Sequence, residues 1–193
     1  MTSLSILEEV KQRIRPVSSA PVSPNGGLPE AAVAVIIDPR NQEGSLLLIR
    51  RRERQADPWS GHVAFPGGHR SVGDRDLLET ATREALEEVG INLAEHELLG
   101  VLPNMYAHTR RILVAPFVFQ LKSEVAIRMN QEVAESFWVP LVELFRNPST
   151  KSDVSAENSR LLVDSYVYGG NVIWGLTFRI INTLLERPQA GMV

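Results

Sequence analysis

The chain is expected to fold as an α/β protein with a mixed sheet between helices. Three observations predict this. Short β-rich apolar runs alternate with helical patterns along most of the length, which favours a layered α/β arrangement over an all-β or all-α one. A glycine-rich loop, Pro66 to Gly73, follows a short apolar run and leads into a helical segment. The 193 residues, 44% of them hydrophobic, are enough for one domain with a real core.

Taken in order, Ile6, Leu7, Val10 and Ile14 recur at helical spacing and predict an amphipathic helix over residues 4–15, stopped by Pro16. Residues 18–29 are rich in Ser, Pro and Gly and read as a linker arm. Ala31–Asp38 and Ser45–Arg51 are two strands, and the turn residues Pro39 to Gly44 make them a hairpin. Residues 53–61 are a polar loop, and His62–Phe65 a short strand. Asp76–Val89 is a helix, with Asp76 and Glu79 in a capping-box pattern and Gly90 as the stop. Glu97–Leu102 and Arg111–Leu121 are strands flanking a polar loop that holds Tyr106, His108 and Arg110. A short strand at Ser136–Val139 and a short helix at Leu141–Arg146 follow. Residues 147–160 are expected to be polar and mobile. Leu161–Tyr168, a Gly-Gly turn and a helix over Trp174–Glu186 complete the chain. The division this implies is an N-terminal helix and arm (1–29), a main domain (30–187) and a tail (188–193).

Composition excludes several functions. The net charge is −3, with a pI near 5.8, so neither nucleic acid nor an anionic membrane is an expected partner. With no cysteine there is no disulfide and no thiolate chemistry, and a metal would take oxygen or imidazole ligands. The N-terminus does not read as a signal peptide, and no apolar run is long enough to span a bilayer, so a cytoplasmic location is expected. Apolar surface on the N-terminal arm is compatible with a homodimer.

The functional signal lies in Arg83-Glu84-Ala85-Leu86-Glu87-Glu88-Val89-Gly90. At about 100° per residue, Glu84, Glu87 and Glu88 share one helix face, within an arc of about 100°. Residues 76–90 contain no lysine to balance them. A hard divalent cation would relieve the repulsion, since Mg²⁺ takes oxygen ligands and works with substrate phosphates. A solvated acidic face explains the carboxylates alone, and a tight turn explains the glycines alone. The two together, with Phe65-Pro66-Gly67-Gly68 leading toward the helix, favour a metal and phosphate site.

This arrangement resembles the Nudix family, whose box runs Gly, five residues, Glu, seven residues, then Arg-Glu-apolar-x-Glu-Glu-x-Gly-apolar. Here Gly68 is followed by five residues and Asp74, and eight residues later by Arg83 through Ile91. Asp74 stands where Glu is usual, and the gap is longer by one. The resemblance implies a Nudix α/β/α sandwich and a hydrolase for a diphosphate bond in a nucleotide derivative. It implies Mg²⁺ or Mn²⁺ held by Glu84, Glu87 and Glu88 with the Gly67 carbonyl, and Arg83 paired with Asp74 or Glu87. Glu87 and Glu132 are the candidates for catalytic base or further ligand, with Glu135 second to Glu132. Each of these two loop carboxylates also has a plain reading as a loop residue.

Upstream, Leu48, Arg52, Gly61 and Phe65-Pro66-Gly67-Gly68 are similar to a signature of the coenzyme A diphosphatase branch, while Arg50, Glu53 and Asp57 depart from its Thr, Ser and Arg. This similarity implies coenzyme A or its thioesters as substrate, with 3′,5′-ADP and a 4′-phosphopantetheine as products. Arg52, Arg50 and Gly68 are the candidate substrate contacts, and Arg50, Arg51 and Arg54 are the cations available to replace the missing one. ADP-ribose, a dinucleotide or a nucleoside triphosphate is the alternative substrate. A non-catalytic nucleotide sensor is the alternative of another class, and the retention of all three box carboxylates argues against it.

Overall fold

A computed structural model describes residues 5–17, 30–40, 43–53, 61–107, 112–156 and 159–185. Arg54, Asp57, His108, Arg110, Glu186, the Ser/Pro/Gly arm (18–29) and the tail lie outside them.

The strands of the main sheet are β1 (Glu30–Asp38), β2 (Ser45–Arg51), β3 (Val63–Ala64), β4 (Gly67–His69), β5 (Glu97–Val101), β6 (Met105–Ala107), β7 (Ile112–Gln120) and β8 (Val133–Pro140). The path β3-β2-β1-β7-β5 carries β4 on β1, β6 on β7 and β8 on β2. β1 and β7 run parallel and the other pairs antiparallel, so the sheet is mixed, as the sequence predicts. The β1–β2 hairpin closes with Asp38 opposite Ser45.

Alternation along β1 and β2 explains the layers, because successive side chains leave a strand on opposite faces. Ala32, Ala34, Ile36, Leu47 and Ile49 face helix α2 (Leu77–Val89), meeting Ala81, Ala85 and Val89. Alanines on both partners let the helix lie close to the strand. Val35, Ile37, Leu46 and Leu48 face the opposite layer. That layer holds α1 (Ile6–Lys11), α3 (Leu141–Arg146) and α4 (Gly175–Leu184) through Leu7, Val10, Leu141, Leu144, Ile180, Ile181 and Leu184. Helix α1, N-capped by Ser5, therefore belongs to the core, although it is shorter than residues 4–15.

Three expectations are corrected. The glycine-rich segment after Pro66 is not all loop, since Gly67, Gly68 and His69 pair with Val33, Ala32 and Ala31 of β1. Only glycine fits the closest point: Gly67 has φ +157°, and a Cβ there would lie 2.4 Å from the Ala32 carbonyl oxygen. The segment expected to be mobile, 147–160, contains strand residues at 150–156 and 159–160. β9 (Thr150–Ala156) pairs antiparallel with β10 (Ser159–Tyr168), and β11 (Asn171–Trp174) completes a three-stranded sheet. Polar side chains here alternate on a strand rather than marking disorder. The last helix begins at Gly175 because Trp174 still pairs with Ser165 in β11.

Candidate active site

The acidic helix is fixed at both ends by its own sequence. Asp76 caps the N-terminus, accepting the Glu79 N–H at 2.8 Å, while Glu79 reaches back to the Arg75 N–H at 2.6 Å. The expected capping box thus closes one residue further out. Gly90 ends the helix in the left-handed region at φ +72°.

Arg83 organises the face between these ends. Its Nε and Nη2 donate to the two Asp74 oxygens at 3.0 and 3.1 Å, a bidentate fork. Nη2 also donates to the His69 carbonyl at 3.1 Å, which ties the helix to β4. Nη1 lies 2.9 Å from Glu84 Oε1 and 3.0 Å from Glu87 Oε2. Asp74 is buried and also accepts from Thr80 Oγ1 and the Ser71 N–H. The Arg83 guanidinium holds its carboxyl well below the usual range. The shorter acid and the longer gap of the box are accommodated here, because the turn Ser71–Asp74 folds the carboxylate back under the helix.

Glu88 points inward and is only 3% exposed, and its Oε2 accepts the Gly67 N–H at 2.9 Å. Burial pushes its carboxyl up to about 7, against the lowering effect of the Gly67 hydrogen bond, and the Glu84 and Glu132 charges add to the rise. Glu84 is also raised, first by burial, with Glu87 and Glu132 contributing. Gly68 gives Glu84 its space, since a Cβ there would stand 2.5 Å from Glu84 Oε1.

Glu132 thus shares the field of Glu84 and Glu88. Its loop is bound to the helix end: the Arg128 and Asn130 N–H groups donate to the Val89 and Glu88 carbonyls at 2.9 and 3.1 Å. Asn130 Oδ1 accepts the Glu132 N–H at 2.8 Å. Glu135 instead pairs across the strands with Arg50, at 2.9 Å. Arg52 is exposed beside Glu132, with its N–H on the Glu132 carbonyl at 2.8 Å and Nη2 on the Val133 carbonyl at 3.3 Å. Arg51 was one of several cations in the sequence. Its positive charge acts on Glu88, a small effect opposing the rise that burial causes. A bulge between Arg50 and Arg51 re-aims the strand there, a signal no periodicity carries.

Among the described residues no three acidic or histidine side chains form a ready-made cage for a metal ion. Arg83 already satisfies the outer oxygens of Glu84 and Glu87. The donor set nevertheless fits Mg²⁺ or Mn²⁺: hard carboxylate oxygens, crowded and partly withdrawn from water, with raised proton affinity in the two most buried members.

The NUDIX domain matches residues 28–161. The chain is 34% identical over 190 residues to an uncharacterized protein of Schizosaccharomyces pombe, covering 86% of this chain and 55% of that one. It is 37% identical over 145 residues to the uncharacterized Nudix hydrolase NudL of Photorhabdus laumondii, covering 74% of this chain and 77% of that protein. Among solved structures, the NUDIX domain of Shewanella oneidensis NrtR, complexed with ADP ribose, superposes with a TM-score of 0.53 at 17% identity, over 88% of this chain and 94% of that one. A Caenorhabditis elegans Ap4A hydrolase superposes with a TM-score of 0.51 at 21% identity, over 62% and 85%. These two likenesses show the fold.

Proposed function

The chain belongs to the Nudix hydrolase family, and from that premise we propose that it is a divalent-metal pyrophosphohydrolase for coenzyme A or its thioesters. The products would be 3′,5′-ADP and a 4′-phosphopantetheine. The observation that carries the hydrolytic reading is the convergence of Glu84, Glu88 and Glu132 charges beside the Gly67-Gly68 strand, with Glu87 on the open side of the same helix.

In this reading Glu84, Glu87 and Glu88 hold the cation, with the Gly67 carbonyl as a further oxygen donor. Bound there, Mg²⁺ or Mn²⁺ would supply neutralisation of the diphosphate oxygens and an attacking water of lowered pKa. Glu132 or Glu87 would accept a proton from the attacking water. The Arg83–Asp74 fork keeps the carboxylates in register on the helix. Arg52, adjoining Glu132, contacts a substrate phosphate, and the Gly68 backbone gives the diphosphate a close approach.

The coenzyme A assignment rests on the match of Leu48, Arg52, Gly61 and Phe65 to Gly68 to that branch's signature. One observation favours ADP-ribose or another diphosphate instead: Arg50 is held by Glu135, so it does not replace the arginine the signature has lost. A panel of coenzyme A, acetyl-coenzyme A, ADP-ribose and a dinucleoside polyphosphate, with products identified by mass spectrometry, tests the reading. The expected result is the highest kcat/KM for coenzyme A or its thioester, with 3′,5′-ADP released. A higher value for ADP-ribose would remove the coenzyme A assignment and leave the family assignment intact.

A further inference from the structure

The small sheet has one open edge. β9 pairs with β10 on one side, and among the described residues no strand pairs with its other side. Its backbone therefore offers a row of N–H and C=O groups that a further strand can complete. We propose that this edge pairs antiparallel with β9 of a second copy of the chain, about a two-fold axis at Ser152, so that two three-stranded sheets join into one continuous sheet.

Three observations carry it. The first is regularity. β9 and β10 stay in register without a bulge, from Thr150 opposite Ser165 to Ala156 opposite Ser159. An edge that must stay single is usually cut short, bulged, broken by proline or charged. β9 has seven residues, which is not short, and none of them is proline. Of those devices only charge is present, in Lys151 and Asp153.

The second is where those charges stand. Both are exposed, and as residues two apart on a strand they share one face. With Ser152 opposite its own counterpart, Lys151 of each copy stands opposite Asp153 of the other. Moving the axis one residue either way sets Asp153 against Asp153 or Lys151 against Lys151, and like charges directly opposite oppose pairing. A guard of one sign repels every copy, whereas this pattern rejects the adjacent registers and accepts one. Lys151 lies 2.8 Å from Asp164 across the hairpin, so in the joined sheet it stands between two carboxylates. Asp153 has no ion-pair partner among the described residues, and the second copy supplies one.

The third is apolar surface beside the edge. Leu161 and Leu162 of β10 are 43% and 65% exposed. Val154 stands opposite Leu161, and Ser152 opposite Val163, on one face of the hairpin. In the joined sheet Val154 comes opposite Thr150 of the second copy, and the two Ser152 residues meet, so this face becomes a strip of aliphatic and hydroxyl side chains. A strand pair covers less area than a permanent dimer buries, so the association is expected to be weak.

The test uses the full chain. Sedimentation velocity over a range of concentrations is run on the unmodified protein, Asp153→Lys, Lys151→Glu and an equal mixture of the two variants, and thermal melts establish that each folds. The proposal expects a concentration-dependent dimer. Each variant alone should dimerise about tenfold more weakly or worse, because both symmetric contacts turn from attraction to repulsion. The mixture should restore dimerisation, since each lysine of one variant then meets an acid of the other. Damage to the hairpin itself would not be repaired by mixing. The register is read separately. The chain has no cysteine, so Ser152→Cys carries a single thiol. Opposite residues of an antiparallel pair have Cα atoms about 4.5–5.5 Å apart, within disulfide range. Ser152→Cys should therefore form a disulfide-linked dimer on mild oxidation. Val154→Cys, whose counterpart lies four residues out of register, should not. If the charge variants do not fold, this cysteine pair decides. A protein monomeric up to about 0.3 mM would overturn the proposal, as such an affinity is too weak for a specific contact. So would a dimer that folded Asp153→Lys does not weaken, or one linked by Val154→Cys and not by Ser152→Cys.

Discussion

Replacing Glu88 by Gln should stabilise the metal-free protein at alkaline pH while destroying its activity. Glu88 is 3% exposed, and its carboxyl is pushed up to about 7 by burial, with neighbouring carboxylates adding to the rise. Folding therefore favours the protonated form. The stability this contributes is complete below the ordinary glutamate value of 4.5 and is lost as the pH climbs through 7. The rise from 4.5 to about 7 corresponds to roughly 3 kcal/mol lost above pH 8. Gln removes that loss and keeps an oxygen for the Gly67 N–H, but its amide NH₂ is buried, at a cost of about 1–2 kcal/mol. The net gain is about 1–2 kcal/mol, or roughly 3–6 °C in Tm for a chain of this size. Scanning calorimetry in EDTA at pH 8.5 and pH 5 measures it. The gain should appear at pH 8.5 and vanish or change sign at pH 5. With Mn²⁺ at pH 8.5, stabilisation should pass to the unmodified protein. A variant less stable at pH 8.5 in EDTA, or a shift equal at both pH values, would refute the reasoning.

Other substitutions separate support from chemistry. Arg83→Lys loses the planar fork on Asp74 and the reach to Glu84 and Glu87, and should cost about 2–4 kcal/mol in denaturant unfolding as well as lowering kcat. Gly68→Ala places a methyl 2.5 Å from Glu84 Oε1, so kcat should fall about tenfold or more, with KM for substrate less affected, in steady-state assays. Arg52→Ala should narrow the preference for coenzyme A over ADP-ribose by about tenfold, because a contact to the 3′-phosphate helps only the former. An unchanged ratio would place Arg52 outside the specificity site.

Much of this was legible in the sequence because the signals are local. The 3.6-residue period put Glu84, Glu87 and Glu88 on one face, and Asp76 and Gly90 marked the ends of their helix. Two apolar β-rich runs with turn residues between them marked the β1–β2 hairpin. What was not legible depends on pairing between distant segments. Gly67 and Gly68 form a strand only because β1 lies alongside to receive them. Thr150–Ala156 has a polar surface like a loop and becomes a strand through β10. The loop bearing Glu132 is set by Arg128 and Asn130 on the last carbonyls of α2, contacts that follow no motif spacing. Arg50, Arg51 and Arg52 are equivalent as letters. Cross-strand register sends the first to Glu135, and a bulge separates it from the second.

The central claim is that the carboxylates of one helix bind the cation that hydrolysis requires. Mn²⁺ titration followed by electron paramagnetic resonance, with turnover measured in the same samples, tests it most directly. The unmodified protein should bind Mn²⁺ and gain activity over the same concentration range, and EDTA should abolish that activity. Glu84→Gln, Glu87→Gln and Glu88→Gln should each bind Mn²⁺ more weakly and lose about 10²-fold or more in kcat while remaining folded. Full turnover in metal-free buffer, or Mn²⁺ bound by folded Glu88→Gln as tightly as by the unmodified protein, would contradict the claim.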